Sequence, residues 1–110
     1  SMAVKKTLLY IDSHLSEELS VNQLAAQVSL TPNYLSSLFK KETGVTLTSY
    51  ILQKRIYHAC FLLKSTDMAI GDVAFSVGIK DANYFTKVFK KYTGKTPVTY
   101  RKSGAQPPSQ

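Results

Sequence analysis

Apolar residues recur along this chain at intervals of three and four and nowhere alternate in twos, so the pattern predicts helices and no strands. Val4, Leu8, Ile11 and Leu15 predict a first helix over residues 3–15. Ser20 is a good N-cap for a short helix over 21–28, with Val21, Leu24, Ala25 and Val28 on its apolar face. Thr31 caps the next helix and Pro32 suits its first position, where the missing N–H costs nothing; the helix should stop at Gly44, giving 32–43. Thr46 then caps a helix over 47–64, ~27 Å long. Its apolar set of Leu47, Tyr50, Ile51, Ile56, Tyr57, Cys60, Phe61 and Leu63 covers more than one side, which predicts cover from several directions. Residues 65–69 break the pattern. Ile70, Val73, Ala74 and Val77 predict a short helix over 70–77, and Gly78 belongs to the turn after it. Asp81 caps a helix over 82–93 that ends at Gly94, and Thr96-Pro97 opens a last one through about Lys102, anchored by Val98 and Tyr100. The fold class is all-α, with about seven helices.

Two stretches of this pattern are copies of one another. Tyr34, Leu35, Leu38, Phe39, Lys40, Lys41, Thr43 and Gly44, closing on Tyr50, match Tyr84, Phe85, Val88, Phe89, Lys90, Lys91, Thr93 and Gly94, closing on Tyr100. The preceding short helices match through Leu24-Ala25 and Val73-Ala74. The offset is 49 before the turn and 50 after it, so the second turn holds one extra residue. A short helix, a turn and a longer helix make a helix-turn-helix unit. Ala25 and Ala74 suit the crossing of the two helices, where a larger side chain would push them apart. Gly78 reaches positive φ cheaply, whereas Ser29 holds that place in the first copy, so the first turn must either carry mild strain or take another conformation.

At 110 residues the chain forms one compact unit or two very small ones, and a repeat of about 30 residues cannot bury a core without shared helices. The expected organisation is a first helix-turn-helix over about 3–45, a linker helix over 47–64, a second helix-turn-helix over 70–102 and a disordered tail over 103–110. Ser1-Met2 reads as an expression remnant, so the natural protein is expected to extend N-terminally. No apolar run approaches the ~20 residues of a membrane span. Cys60 stands alone in an apolar stretch, as a buried small hydrophobe in a chain suited to a reducing cytoplasm. His58 and Cys60 lie ~200° apart on a helix, so they suggest no metal site, and the residues suggest no cofactor. Net charge is +7 and uneven: residues 1–39 sum to −1 and residues 40–110 to +8. Such a balance favours a polyanionic partner.

The longer helix of each repeat carries a polar stripe opposite its apolar one. In 32–43 the stripe is Asn33, Ser36, Ser37, Lys40 and Lys41; in 82–93 it is Asn83, Thr86, Lys87, Lys90 and Lys91. Short hydrogen-bonding groups stand at the N-terminal end and paired lysines at the C-terminal end. A helix that reads a DNA major groove needs this division, with its first turns on base edges. The expected base contacts are therefore Asn33, Ser36, Ser37, Asn83, Thr86 and Lys87. Lys40, Lys41, Lys90 and Lys91 are the expected backbone contacts. A single polar stripe of this kind would signify only a solvated face; its recurrence in register is what favours function. Tyr34, Phe39, Tyr84 and Phe89 are expected in the core.

These residues resemble the AraC/XylS-type transcription regulators. The resemblance spans about residues 5–102 and is strongest from Asp72 to Arg101, with Ala74, Gly78, Phe89, Gly94, Pro97 and Tyr100-Arg101 at the family's spacing. Leu35 to Gly44 is similar to the family's first reading helix, and Tyr50-Ile51, Arg55-Ile56, Ala59 and Leu62-Leu63 match its connecting helix. The resemblance implies two helix-turn-helix subdomains joined by one long helix, with both reading helices in successive major grooves ~34 Å apart. It adds Arg55 and Arg101 as candidate backbone or scaffold contacts, Arg55 being equally suited to an internal ion pair. Double-stranded DNA is the implied partner, RNA polymerase a further one, and a dimerisation or effector-sensing domain should precede residue 1. Where family members often carry Arg, Gln or Trp on the first reading helix, this chain has Asn33, Ser36 and Ser37, and Ala82 opens the second. Direct readout should therefore be modest, with help from water, dimerisation or DNA shape. Since the two outward faces differ, the target of one chain should be asymmetric.

Two other classes compete. A helical protein-interaction module would bind an acidic partner through the same stripes. An enzyme would need a nucleophile–base pair, a phosphate-binding glycine loop or a metal cluster, and the sequence offers none of them.

Overall fold

The computed structural model describes residues 1–108. Among them are seven helices and no strand: α1 (Met2–Ser13), α2 (Val21–Gln27), α3 (Pro32–Thr43), α4 (Leu47–Ser65), α5 (Ile70–Ser76), α6 (Ala82–Thr93) and α7 (Pro97–Lys102). The helices begin where side chains satisfy the free N–H groups of their first turns. Ser20 Oγ accepts from Gln23 N–H, Thr31 Oγ1 from Tyr34 N–H and Thr46 Oγ1 from Ser49 N–H. Asp81 accepts from both Asn83 and Tyr84, and Thr96 accepts from Thr99. Gly44 and Gly94 end α3 and α6 in the left-handed region, at φ 83° and 80°. α5 has no side-chain cap; Ala69 stands at that position, and α5 closes at Ser76 rather than 77.

The chain divides into two compact units, Ser1–Leu52 and Gln53–Gln110, with the division inside α4. In the first unit α3 packs against α1 and α2. Val4, Ile11, Leu15, Leu24, Ala25, Leu35, Phe39, Leu47 and Ile51 form its core. In the second unit α6 packs against α5 and α7. Its buried residues include Ile56, Ala59, Cys60, Leu63, Val73, Ala74, Val77, Ile79, Phe85, Val88, Phe89 and Tyr100. The aromatic packing repeats with the sequence: Phe39 meets Tyr50 edge-on at 5.6 Å between ring centres, and Phe89 meets Tyr100 edge-on at 5.4 Å. Burial pushes the Tyr100 phenol up to about 12 and raises the Cys60 thiol, so both stay neutral in the core.

Both turns have one geometry. Leu30 N–H donates to Ala25 C=O at 3.0 Å, and Ile79 N–H donates to Ala74 C=O at 2.9 Å. The residue before each donor is left-handed, Gly78 at φ 91° and Ser29 at φ 58°. Ser29 thus takes the strained alternative, at a cost of about 1–2 kcal/mol against glycine. Since Ser29 and Gly78 still match at the offset of 49, the extra residue of the second turn is Lys80.

Three expectations change here. Val98, expected to anchor α7 beside Tyr100, is 50% exposed, while Tyr100 and Pro97 are buried. The apolar surface of α4 is not covered all round: Phe61 is 65% exposed and Tyr57 37%. They stand one helical turn apart, so they form a stripe away from Ile56, Ala59, Cys60 and Leu63. The tail, expected to be disordered from 103, is placed instead over its first part. Ser103 closes α7 by donating to Tyr100 C=O, and its Oγ accepts from Ala105 N–H. Gly104 to Pro107 carry no regular element but wall a hollow of about 680 Å³ with Tyr57, Phe61, Lys64 and Tyr100. Ser109 and Gln110 lie outside the described residues.

Candidate nucleic-acid interface

Each unit presents one polar helix face to solvent, built the same way in both. In α3, Leu35 and Phe39 are wholly buried and anchor the helix, while Asn33, Ser37, Lys40 and Lys41 are exposed. In α6, Phe85, Val88 and Phe89 anchor, while Asn83, Lys87, Lys90 and Lys91 are exposed. Ser36 and Thr86, at equivalent positions, are half-buried. Each residue advances about 100° around a helix. Taking Ser37 as the middle of the exposed arc of α3, Asn33 and Lys41 lie ~40° to either side, Lys40 ~60° away and Ser36 ~100° away. The same holds around Lys87 in α6. Four of the five expected stripe positions in each helix therefore share one open face, and the fifth sits at its edge.

Tyr34 and Tyr84 depart from expectation. They were expected in the core, yet they are 57% and 47% exposed. The reason is angular: Tyr34 lies ~60° from Ser37, on the opposite side of it from Lys40, and beyond the arc that Leu35 and Phe39 bury. An aromatic side chain looks like core in a hydrophobicity pattern, so the signal that places it outside is the wheel position and not the residue type. Phe39 and Phe89 are fully buried as expected.

Beside α3 the first unit has a hollow of about 590 Å³, walled by Val21, Ser36, Ser37, Lys40, Lys41, Thr46, Leu47 and Thr48. It brings the side chains of α3 together with the start of α4, whose Thr46 and Thr48 sequence reasoning had not included. Lysine ammoniums and threonine hydroxyls there are donors suited to phosphate oxygens. In the second unit Lys91 Nζ lies 5.6 Å from the centre of the Tyr92 ring, which steadies its stem near the end of α6.

The two arginines sit differently from the lysines. Arg101 is half-buried, and its Nε donates to Leu63 C=O at 3.0 Å, in the last turn of α4. The geometry shown is thus a scaffold contact that satisfies a helix-end carbonyl. Arg55 is half-buried in α4, where desolvation lowers its pKa. The positive charge follows the units. Within residues 1–52, Lys5, Lys6, Lys40 and Lys41 balance Asp12, Glu17, Glu18 and Glu42, so the whole net charge of +7 belongs to residues 53–110.

A family model described as a helix-turn-helix domain matches residues 24–103. The chain is 44% identical over 92 residues to the bifunctional transcriptional activator/DNA repair enzyme AdaA of Bacillus subtilis, covering 84% of this chain and 44% of that protein. It is 38% identical over 109 residues to the regulatory protein PocR of Salmonella typhimurium, covering 96% of this chain and 36% of that protein. The chain thus spans less than half the length of these curated relatives. Among solved structures it is similar to the C-terminal domain of the two-component response regulator yesN from Fusobacterium nucleatum, with a TM-score of 0.87 and 35% identity, covering 92% of this chain and 99% of that one. With two helix-turn-helix units, matched outward faces and these relatives, the chain belongs to the AraC/XylS-type family of helix-turn-helix DNA-binding domains of transcription regulators.

Proposed function

We propose that this domain binds a specific double-stranded DNA sequence by placing α3 and α6 in successive major grooves, and that it does so without catalysis. The observation that supports this reading best is the recurrence, at equivalent positions of both units, of one open helix face with short polar groups at its start and paired lysines at its end. Asn33, Ser37, Asn83 and Lys87 read base edges, with Ser36 and Thr86 at the margin of each face. Lys40, Lys41, Lys90 and Lys91 hold phosphates. Arg101 acts through the end of α4, which it braces at Leu63 C=O, and Arg55 is a proposed backbone contact. The first helix-turn-helix, the linker helix and the second helix-turn-helix act as one DNA-binding domain. In the whole regulator a preceding domain dimerises or senses an effector, and the assembly contacts RNA polymerase to control initiation, as an activator in the bacterial cytoplasm. No helix among the described residues is long and apolar enough to cross a membrane.

The division between base and phosphate contacts has a direct test. Quantitative binding to duplexes enriched from random-sequence DNA should show that Ser37→Ala or Lys87→Ala changes the preferred base at one position, at a cost of ~1–3 kcal/mol for that base in the lysine case. Lys40→Ala or Lys90→Ala should weaken all sequences about equally. Four variants with the same profile would show that the division is wrong.

A further inference from the structure

The two exposed tyrosines are the feature that the polar stripes leave unexplained. Tyr34 and Tyr84 are the third residues of α3 and α6, and their exposure is similar, 57% and 47%. Their backbones are pinned, since Tyr34 N–H donates to Thr31 Oγ1 and Tyr84 N–H to Asp81 Oδ1. One exposed aromatic ring on a protein surface is ordinary. Two at the same position of two outward faces, both in the helix turn that meets base edges, are not explained by packing. Each ring stands ~60° from the middle of its face, as close to it as Lys40 or Lys90 on the other flank.

We propose that Tyr34 and Tyr84 are specificity-determining residues whose rings pack against the C5-methyl group of a thymine, one in each half of the site. The major groove displays that methyl as its one apolar feature, and an apolar side-chain surface is the partner that recognises it. A half-exposed phenol ring laid against a methyl group removes apolar surface from water on both sides. The reading deepens the weak point of the first unit: Asn33 and Ser37 reach few base atoms, and Tyr34 supplies a contact that needs no hydrogen bond. The inference rests on α3 and α6 being the groove-facing helices.

The test replaces thymine by deoxyuridine, one base at a time, in a duplex enriched from random-sequence DNA by the protein. This deletes the methyl and keeps every hydrogen-bonding group. One thymine in each half-site should lose about three- to fivefold in affinity, the worth of one methyl group withdrawn from water. Tyr34→Ala should erase that penalty in one half-site and Tyr84→Ala in the other, while Tyr34→Phe and Tyr84→Phe keep it, since the ring and not the hydroxyl makes the contact. If no thymine shows the penalty, or if it persists unchanged in the alanine variants, the proposal is overturned. Both positions are about half exposed, and Tyr34→Ser and Tyr84→Ser, which should erase the same penalties, give the answer where an alanine variant folds poorly. Failure of the wild-type protein to bind any duplex would instead overturn the DNA-reading function itself.

Discussion

Replacing Phe89 by alanine is expected to cost about 3–5 kcal/mol of stability. Phe89 is wholly buried, 5.6 Å from the Phe85 ring centre and 5.4 Å from that of Tyr100. Its removal opens a cavity at the point where α6 is held on its unit. The loss includes about 0.5–1.5 kcal/mol for each aromatic pair beyond the buried area. Small domains are stable by only about 5–15 kcal/mol, so the variant should lose a large share of that. Thermal unfolding followed by circular dichroism should show a fall of about 15–30 °C in Tm. Phe89→Leu keeps most of the volume and should cost much less. A Tm within ~3 °C of wild type for Phe89→Ala would mean that α6 is not held by this ring. Function is tied to the same contact, because a reading helix must be rigid before its outward side chains can select bases.

The second large effect is on binding. With about six phosphate contacts, four of them from Lys40, Lys41, Lys90 and Lys91 and the rest from further cations of residues 53–110, the plot of log affinity against log salt should have a slope near −5. Between 50 and 200 mM salt that is a loss of about a thousandfold. Each lysine removed should flatten the slope by about one. The structure adds a direction that net charge alone does not: residues 1–52 are neutral overall and residues 53–110 carry +7. Lys40 and Lys41 are thus the only lysines on the exposed face of α3, and their unit has no surplus behind them. Lys90 and Lys91 belong to a unit that holds further cations, such as Lys80, Lys95 and Lys102. The double variant Lys40→Ala/Lys41→Ala should therefore lose contacts in its own half of the site without compensation. A salt-insensitive complex would contradict the phosphate assignments.

Much of this was legible because helix ends are local chemistry. Thr31-Pro32 and Gly44 bound α3, and Asp81 and Gly94 bound α6, through interactions within three or four residues, so the sequence pattern and the structure agree on 32–43 and 82–93. The repeat made both outward faces visible, since a second copy in register is a comparison that one helix cannot provide. What was not legible depended on contacts across the chain. Arg101 meets Leu63 C=O across 38 positions, and no local pattern reveals such a partner. Ser29 left two turn geometries open, and only its φ of 58° decides between them. Tyr34 and Tyr84 were misplaced because a hydrophobicity pattern treats a tyrosine as apolar wherever it falls. Phe61 was misplaced for a different reason: α4 is apolar on several sides, and packing decides which of them is left open.

The most direct measurement of the central idea is a hydroxyl-radical and base-modification footprint of the protein on a duplex enriched from random-sequence DNA. The account predicts two protected patches on one face of the helix, their centres ~10–10.5 base pairs apart, with different sequences and with major-groove positions protected in both. Ser37→Ala should alter one patch and Lys87→Ala the other. A single protected patch, or two patches altered alike by either variant, would contradict the reading that α3 and α6 each enter a groove.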